Sequence, residues 1–145
     1  MTQERLDHAG NQSAEIAQFF EDFDAAARAE DWSRYRDLFL PQFMNIDPGQ
    51  TGAIYRDALI AFLPQRKSLF ERAGASGTAL TSLDVDSLDA HHAVARTAWE
   101  VLFNQPRDPV ILRTTFLLRK EEERWQIAVY VSHQGLLELL DPQAP

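Results

Sequence analysis

Asp47 is the residue of this sequence whose position best suits chemistry. It ends a short alternating segment that starts at Phe43, and Pro48 and Gly49 follow it directly. A carboxylate enclosed by apolar side chains has a raised pKa and can act as a general base. Asp-Pro-Gly is also an ordinary turn sequence, in which the aspartate side chain bonds to nearby backbone amides. The sequence leaves both roles of Asp47 open.

Few other residues have a spacing that favours catalysis or metal binding. The pair His91 and His92 lies in a predicted turn without a third ligand at metal-binding spacing, so no metal site is predicted. The chain has no cysteine, which excludes a thiolate nucleophile and a disulfide framework. It has no glycine-rich phosphate loop and no Ser-His-Asp spacing typical of a hydrolase. We therefore expect a protein that works without a cofactor.

The charge composition argues against nucleic-acid binding. The 145 residues include 22 acidic and 14 basic side chains, and the net charge is −8. Nucleic-acid binding needs a basic stripe, whereas the basic residues here are scattered on predicted helices beside acids. No apolar run approaches the roughly 18 residues of a membrane span, and the N-terminus lacks the apolar part of a signal peptide. We expect a cytoplasmic protein that binds neither nucleic acid nor membrane.

The periodicity of apolar residues predicts one domain that begins with three helices. Residues 1–12 are predicted as a mobile tail, residues 13–140 as the domain, and residues 141–145 as a C-terminal tail. The first helix follows an N-cap at Ser13, and the second follows an N-cap at Asp31. The third is predicted over residues 55–72, where Pro64 should kink or split it.

Five strand-like segments are predicted to form the sheet. They lie at residues 43–47, 78–88, 93–103, 110–120 and 124–133, and a brief helical turn is predicted at residues 136–140. The four long strands follow one another too closely for a crossover connection, so they must be antiparallel. This order predicts an α+β fold with the three helices packed on a curved, mostly antiparallel sheet.

The last predicted strand carries apolar residues on both faces. Strict alternation places Trp125, Ile127, Val129 and Val131 on one face, and Gln126, Ala128, Tyr130 and Ser132 on the other. One sheet face must cover the helices, and the other then has too many apolar groups to face water. We therefore expect a homodimer through the outer sheet face, with docking of another protein as the alternative.

Several short segments carry a family resemblance. They are the Phe-rich first helix, Ala29-Glu30-Asp31-Trp32, Leu38-Phe39-Leu40-Pro41, Asp47-Pro48 and Arg124-Trp125-Gln126-Ile127. With this order of elements, the chain resembles the nuclear transport factor 2-like superfamily, in particular its SnoaL-like and ketosteroid-isomerase-like branch. The resemblance covers nearly all of residues 13–134 and implies a cone-shaped fold around a pocket. That fold hosts isomerases, dehydratases, hydrolases, cyclases and binding modules, so it does not decide the function.

Ketosteroid isomerases of this branch keep their general base at the position that resembles Asp47. They hold the enolate oxygen with a tyrosine from the first helix and a protonated aspartic acid from the third long strand. The matching positions here are Phe23 and either Thr114 or Thr115. Phenylalanine donates no hydrogen bond, and threonine is a weaker donor than a carboxylic acid. Each lost donor typically costs roughly 10²–10³ in rate, so steroid isomerisation of the known type is not expected.

The family's register implies the remaining residues of a site. Tyr130 would face the cavity and is the best remaining hydroxyl donor, so Asp47 and Tyr130 are the predicted catalytic residues. Asn45 shares a strand face with Asp47 and suits a polar group of a ligand. The predicted ligand-binding residues are Phe23, Tyr35, Asn45, Tyr55, Trp99, Thr114 and Phe116. For the aromatic residues among them, ordinary core packing is the alternative.

Together these patterns predict a protein that binds a small, largely apolar metabolite in a pocket between helices and sheet. Asp47 would add cofactor-free isomerase, cyclase or dehydratase chemistry if it faces that pocket. The alternative is a non-catalytic module of the same fold, in which the cone is filled and the outer sheet face dimerises or docks another protein.

Overall fold

A six-stranded sheet covered by helices on one face forms the protein. The computed structural model describes residues 3–135, with side chains from residue 10 onward, so the predicted turn at 136–140 and the C-terminal tail lie outside the described residues. The elements are α1 (Gln3–Arg28), α2 (Trp32–Arg36), β1 (Phe39–Asp47), β2 (Gln50–Tyr55), α3 (Arg56–Arg72), β3 (Ala75–Asp89), β4 (His92–Phe103), β5 (Ile111–Glu121) and β6 (Arg124–Ser132). The predicted α+β class is confirmed.

The strand order is β2-β1-β6-β5-β4-β3. All neighbouring strands are antiparallel except β1 and β6, which pair in parallel. Strand β1 thus joins the sheet beside the last strand, although α3 and the long hairpins lie between these two strands in the sequence. The predicted membership of the Asp47 strand in this sheet is confirmed.

Helix α1 begins at Gln3 and runs through the segment that was predicted as a tail, so Ser13 lies inside the helix and is not its N-cap. The reason is a buried polar contact that sequence periodicity does not reveal. Gln12 is almost fully buried, and its side-chain nitrogen donates to the carbonyl oxygen of Asp89 at 2.7 Å. The hydroxyl of Ser87 donates to the side-chain oxygen of Gln12 at 2.5 Å. Two bonds to the end of β3 therefore hold this part of the helix on the sheet.

The predicted N-cap at Asp31 is confirmed, because its carboxylate accepts a hydrogen bond from the Arg34 amide at 3.2 Å. Helix α2 is short, and β1 starts at Phe39, four residues earlier than predicted. The amide of Ile127 donates to the Leu38 carbonyl at 2.9 Å, and Phe39 pairs with Ile127. Parallel pairing with β6 thus extends β1 toward α2.

Strand β2 was not predicted, because Gly49 and Gly52 indicate a loose connection. It forms a hairpin with β1, in which Asn45 lies opposite Gly52. Helix α3 matches its predicted bounds within one residue and continues through Pro64, so the proline does not split it.

A β-bulge at Ala128 changes which residues of β6 share a face. Leu118 lies opposite Ile127 whereas Leu117 lies opposite Val129, so Ala128 has no partner of its own in β5. An extra residue in one strand reverses the alternation beyond it. Tyr130 consequently joins Ile127 on the helix-facing side, and Val129 and Val131 lie on the outer face. Strict alternation predicted that the two valines share a face with Ile127, and this prediction is wrong beyond the bulge.

The space between α1, α2 and the sheet is filled by eight rings that we call the aromatic core. They belong to Phe20, Phe23, Tyr35, Phe39, Phe43, Trp99, Phe116 and Tyr130, and contacting centroids lie 4.7–6.4 Å apart. Phe20, Phe39 and Phe116 have no exposed surface. Tilted and edge-to-face ring pairs at these distances add stability beyond the area that they bury.

Replacement of Phe116 by alanine should lower the free energy of unfolding by about 3–5 kcal/mol, because it leaves a cavity in the centre of the aromatic core. The matched control is Phe62→Ala on α3, since Phe62 is 53% exposed and should contribute less than about 0.5 kcal/mol. Urea unfolding followed by circular dichroism measures both. Equal effects of the two substitutions would contradict the central role of Phe116.

Candidate functional site

A cavity of about 580 Å³ lies at the edge of the helix–sheet interface, which we call the edge cavity. Its walls come from the C-terminal end of α1, from α2 and α3, from the start of β3 and from the end of β4. The lining residues are Asp24, Ala27, Arg28, Glu30, Trp32, Tyr35, Leu63, Arg66, Lys67, Phe70, Ser76, Gly77, Thr78 and Leu102. Of the predicted site residues, Tyr35 alone belongs to this lining.

One face of α3 provides the apolar wall of the edge cavity together with a cation. Leu63, Arg66 and Phe70 recur at helical spacing and therefore point to the same side of the helix. The guanidinium carbon of Arg66 lies 5.0 Å from the centroid of the Phe70 ring, which is cation–π distance. In the sequence, the signal for this wall is a cation within an apolar helix face. It is hard to recognise because basic residues are scattered over the predicted helices.

The other charges of the edge cavity are already paired. Arg28 contacts the Asp24 carboxylate at 2.6 Å, and Lys67 contacts the Glu30 carboxylate at 2.7 Å. Arg66 makes no ion pair within residues 10–135. The cavity therefore holds one positive charge that no carboxylate of the described side chains neutralises.

Tyr35 lines the edge cavity and is largely buried. Its residue surface is 6% exposed, and its hydroxyl makes no hydrogen bond with any side chain or backbone group that the structure describes. Burial raises the pKa of the Tyr35 phenol, the nearby Tyr130 raises it further, and the charge of Arg66 acts in the opposite direction. The phenol is thus protonated at neutral pH and can donate a hydrogen bond to a ligand.

Three predicted ligand-binding residues lie in the aromatic core instead of a cavity wall: Phe23, Trp99 and Phe116. The centre of the cone, where the family resemblance places a pocket, is occupied by their rings. Tyr130 lies there too, with its ring centroid 4.7 Å from that of Phe116.

Thr114, a predicted ligand-binding residue, belongs to a buried chain of hydrogen bonds. The indole nitrogen of Trp99 donates to the Thr97 hydroxyl at 2.8 Å. The Thr97 hydroxyl lies 3.1 Å from the Thr114 carbonyl and 2.5 Å from the Thr114 hydroxyl. These groups satisfy one another inside the sheet, so a ligand would have to break existing bonds to use Thr114.

Asp47 occupies the turn of the β1–β2 hairpin. Its Oδ1 atom accepts hydrogen bonds from the amides of Gly49 at 2.7 Å and Gln50 at 3.0 Å. This is the turn role that the sequence left open. Asp47 lines neither the edge cavity nor the second cleft that is described below. Asn45 is half-buried opposite Tyr130 in β6, and Tyr55 is 64% exposed at the N-cap of α3.

A second cleft of about 600 Å³ lies between α1 and the two turns that flank β4 and β5. Both of its basic side chains are already paired with acids: Lys120 contacts Glu15 at 3.0 Å, and Arg119 contacts Glu121 at 2.7 Å. The Trp125 indole also donates to Glu15 at 2.7 Å. The cleft therefore lacks the unpaired cation that the edge cavity has.

Two absences within the described residues bear on the site. No group of three or more histidine, aspartate or glutamate side chains in that part of the chain could hold a metal ion. His92 contacts the Asp89 carboxylate at 2.9 Å, which is a local turn contact. Over the same residues, no helix is both long enough and apolar enough to cross a membrane.

Comparison with known families identifies the fold. The family model described as the SnoaL-like domain matches residues 16–133, which is most of the chain. The chain belongs to the SnoaL-like family. The predicted resemblance to the nuclear transport factor 2-like superfamily is thereby confirmed. A search of the curated proteins finds no significant match.

Solved structures similar to this SnoaL-like protein share the fold at low sequence identity. A nuclear transport factor 2-like protein of unknown function from Shewanella oneidensis is 19% identical, with 85% of this chain and 99% of that chain covered and a TM-score of 0.66. One from Pseudomonas putida is 17% identical, with 86% and 87% covered and a TM-score of 0.68. A ketosteroid isomerase-like protein from Erwinia carotovora is 23% identical, with 83% and 93% covered and a TM-score of 0.61. These similarities establish the cone-shaped α+β fold.

Asp47→Ala should destabilise the protein by about 1–2 kcal/mol, because it leaves the Gly49 and Gln50 amides without their acceptor. Asp47→Asn should cost less, since its amide oxygen can still accept these bonds. Urea unfolding measures both variants. A general base in a desolvated site would give the opposite pattern: removal of its charge by either substitution would leave stability unchanged or increase it.

Proposed function

We propose that this SnoaL-like protein binds a small, largely apolar molecule in the edge cavity. The observation that carries the proposal is Tyr35, a cavity-lining residue that is 6% exposed and whose hydroxyl makes no hydrogen bond within the described residues. A phenol hydroxyl can donate one hydrogen bond, and the described residues leave this one unused. A bound molecule would satisfy this donor.

The size and walls of the edge cavity support the same proposal. Ligand pockets commonly measure roughly 300–1,000 Å³ and combine apolar walls with a few polar groups, and the edge cavity has about 580 Å³. Trp32, Leu63 and Phe70 offer aromatic and aliphatic contact area. Burial of this surface by an apolar molecule would contribute roughly 25 cal/mol per Å².

Binding is favoured over catalysis because the described side chains of the edge cavity include no unpaired base. Its carboxylates, Asp24 and Glu30, are held in ion pairs, and the Tyr35 phenol is protonated. Proton abstraction needs a group that can accept a proton within hydrogen-bonding reach of the ligand. Catalysis by Asp47 and Tyr130 stays a prediction.

Ala27→Phe should weaken binding of N-phenyl-1-naphthylamine, a neutral dye that fluoresces in apolar surroundings, by about ten-fold or more. Ala27 is half-buried in the cavity wall, so a phenyl group there would occupy ligand volume. Fluorescence titration measures the dissociation constant.

The matched control is Ala25→Phe, which adds the same ring to the same helix at an exposed position. It should leave dye binding within about two-fold of the parent protein, because surface substitutions rarely perturb a distant site. Absence of dye binding to the parent protein, or equal binding by the two variants, would refute the proposed site.

A second candidate function, dimerisation, is favoured by the outer face of the sheet. Val129 and Val131 pair with Met44 and Ile46 of β1, and Leu117 lies opposite Val129 in β5. All five are half-exposed, so they form one contiguous apolar patch. Contiguous patches of this kind on soluble domains commonly mark interaction surfaces.

A second copy of this chain is the occupant that the surrounding charges favour. Arg96 and Arg113 share the outer face with Glu100, so both signs of charge border the patch. In a two-fold interface each patch meets itself, and a patch with both signs can then pair its own charges. Homodimerisation through the outer face is therefore our second proposal.

Val129→Glu should convert a dimer into a monomer, because it buries an unpaired carboxylate at the centre of the patch. The matched control is Phe62→Glu, which places the same charge on the exposed helix side of the protein. Sedimentation velocity measures the mass of both variants. A monomeric parent protein, or a dimer that survives Val129→Glu, would exclude this interface.

A further inference from the structure

Arg66 and Tyr35 together define what kind of molecule the edge cavity recognises. We propose that the cavity selects molecules that carry one carboxylate on an apolar body, and that Arg66 and Tyr35 hold that carboxylate. This inference rests on the proposed binding function of the edge cavity and names its ligand class. Membership of the SnoaL-like family does not by itself imply this ligand class.

The pairing of charges within the cavity favours an anionic ligand. Three cationic side chains line it, and two of them are neutralised by Asp24 and Glu30. Arg66 is the third, and its contact within the described residues is the Phe70 ring. A guanidinium offers five donors in a planar fork that matches a carboxylate, so its bonding capacity is far from used.

The Tyr35 hydroxyl supplies a second donor in the same cavity, because Tyr35 and Arg66 both line it. Burial keeps the phenol protonated, so it donates and does not repel an anion. Hydrogen bonds to a charged acceptor are about twice as strong as those between neutral groups.

A monoanion fits better than a dianion such as a phosphate monoester. The cavity contains one uncompensated positive charge, and a second negative charge would have no partner in it. The net charge of the whole protein is −8, which also disfavours the approach of a dianion. Trp32, Leu63 and Phe70 surround the rest of the volume, so the remainder of the ligand should be apolar.

The test compares acids with their primary amides, which have nearly the same shape but no charge. Dodecanoic acid, 4-phenylbutyric acid and 2-naphthylacetic acid, each with its amide, displace bound N-phenyl-1-naphthylamine at pH 7. At least one acid should bind about ten-fold more tightly than its amide. Arg66→Gln should abolish that preference by weakening the acid and leaving the amide unchanged.

Arg72→Gln is the matched control, because it removes the same charge from the same helix at an exposed position outside the cavity lining. The acid preference should therefore survive in this variant. Tyr35→Phe keeps the ring in the aromatic core and removes the hydroxyl alone, and it should weaken acid binding by about three-fold to ten-fold. Arg66→Lys, which retains the charge, should restore part of the preference.

The outcomes separate this inference from the proposed function. If the dye does not bind, the proposed function fails and the inference fails with it. If the dye binds but no acid displaces it better than its amide, the edge cavity is a binding site and the inference is wrong. An equal loss of acid preference in Arg66→Gln and Arg72→Gln would also refute it, because general charge would then explain the result.

Discussion

The packing of the aromatic core is the constraint on which the rest of this structure depends. Phe20 and Phe23 of α1 meet Trp99 and Phe116 of the sheet through ring contacts of 5.1–6.4 Å. Rings of this size fill the middle of the cone, and the edge cavity lies where this packing ends. Tyr35 belongs to both, since its ring contacts Phe23 and the residue lines the cavity.

The bulge at Ala128 makes that packing possible and also shapes the outer surface. Without the extra residue, Tyr130 would point away from Phe116, and one of the valines would take its place against the helices. With it, the Tyr130 ring completes the core while Val129 and Val131 lie outside. One inserted residue therefore sets both the chemistry of the interior and the apolar character of the opposite face.

Local patterns account for the parts of the fold that the sequence predicts well. The bounds of α3 and of the long strands follow from apolar periodicity and turn residues, and the Asp31 cap follows from its side chain. Strand β2 and the extension of α1 were missed because pairing with β1 and the buried contacts of Gln12 are tertiary interactions. Periodicity also assumes strict alternation, so it cannot detect a bulge.

The candidate site was harder to predict because it depends on which of several similar basic residues has no acidic partner. Arg28, Arg66 and Lys67 look alike in sequence, and the Glu30 that neutralises Lys67 lies 37 positions away. Pairing over that distance depends on how α3 packs. The likeness to ketosteroid isomerases predicts a catalytic role for Asp47. The sequence Asp-Pro-Gly also predicts a turn, and Asp47 makes the corresponding hydrogen bond in the hairpin.

The two walls of the edge cavity differ in how firmly they are held. The wall that contains Tyr35 belongs to the aromatic core, whereas the buried residues of α3 are Leu63 and Phe70, both of which line the cavity. A helix whose buried contacts face a cavity can shift at lower cost than one embedded in packed rings. In the proposed site, Tyr35 is therefore the donor on the firmly packed wall, and Arg66 is the cation on the α3 wall. Such an arrangement would let one carboxylate-binding anchor serve apolar bodies of different shape.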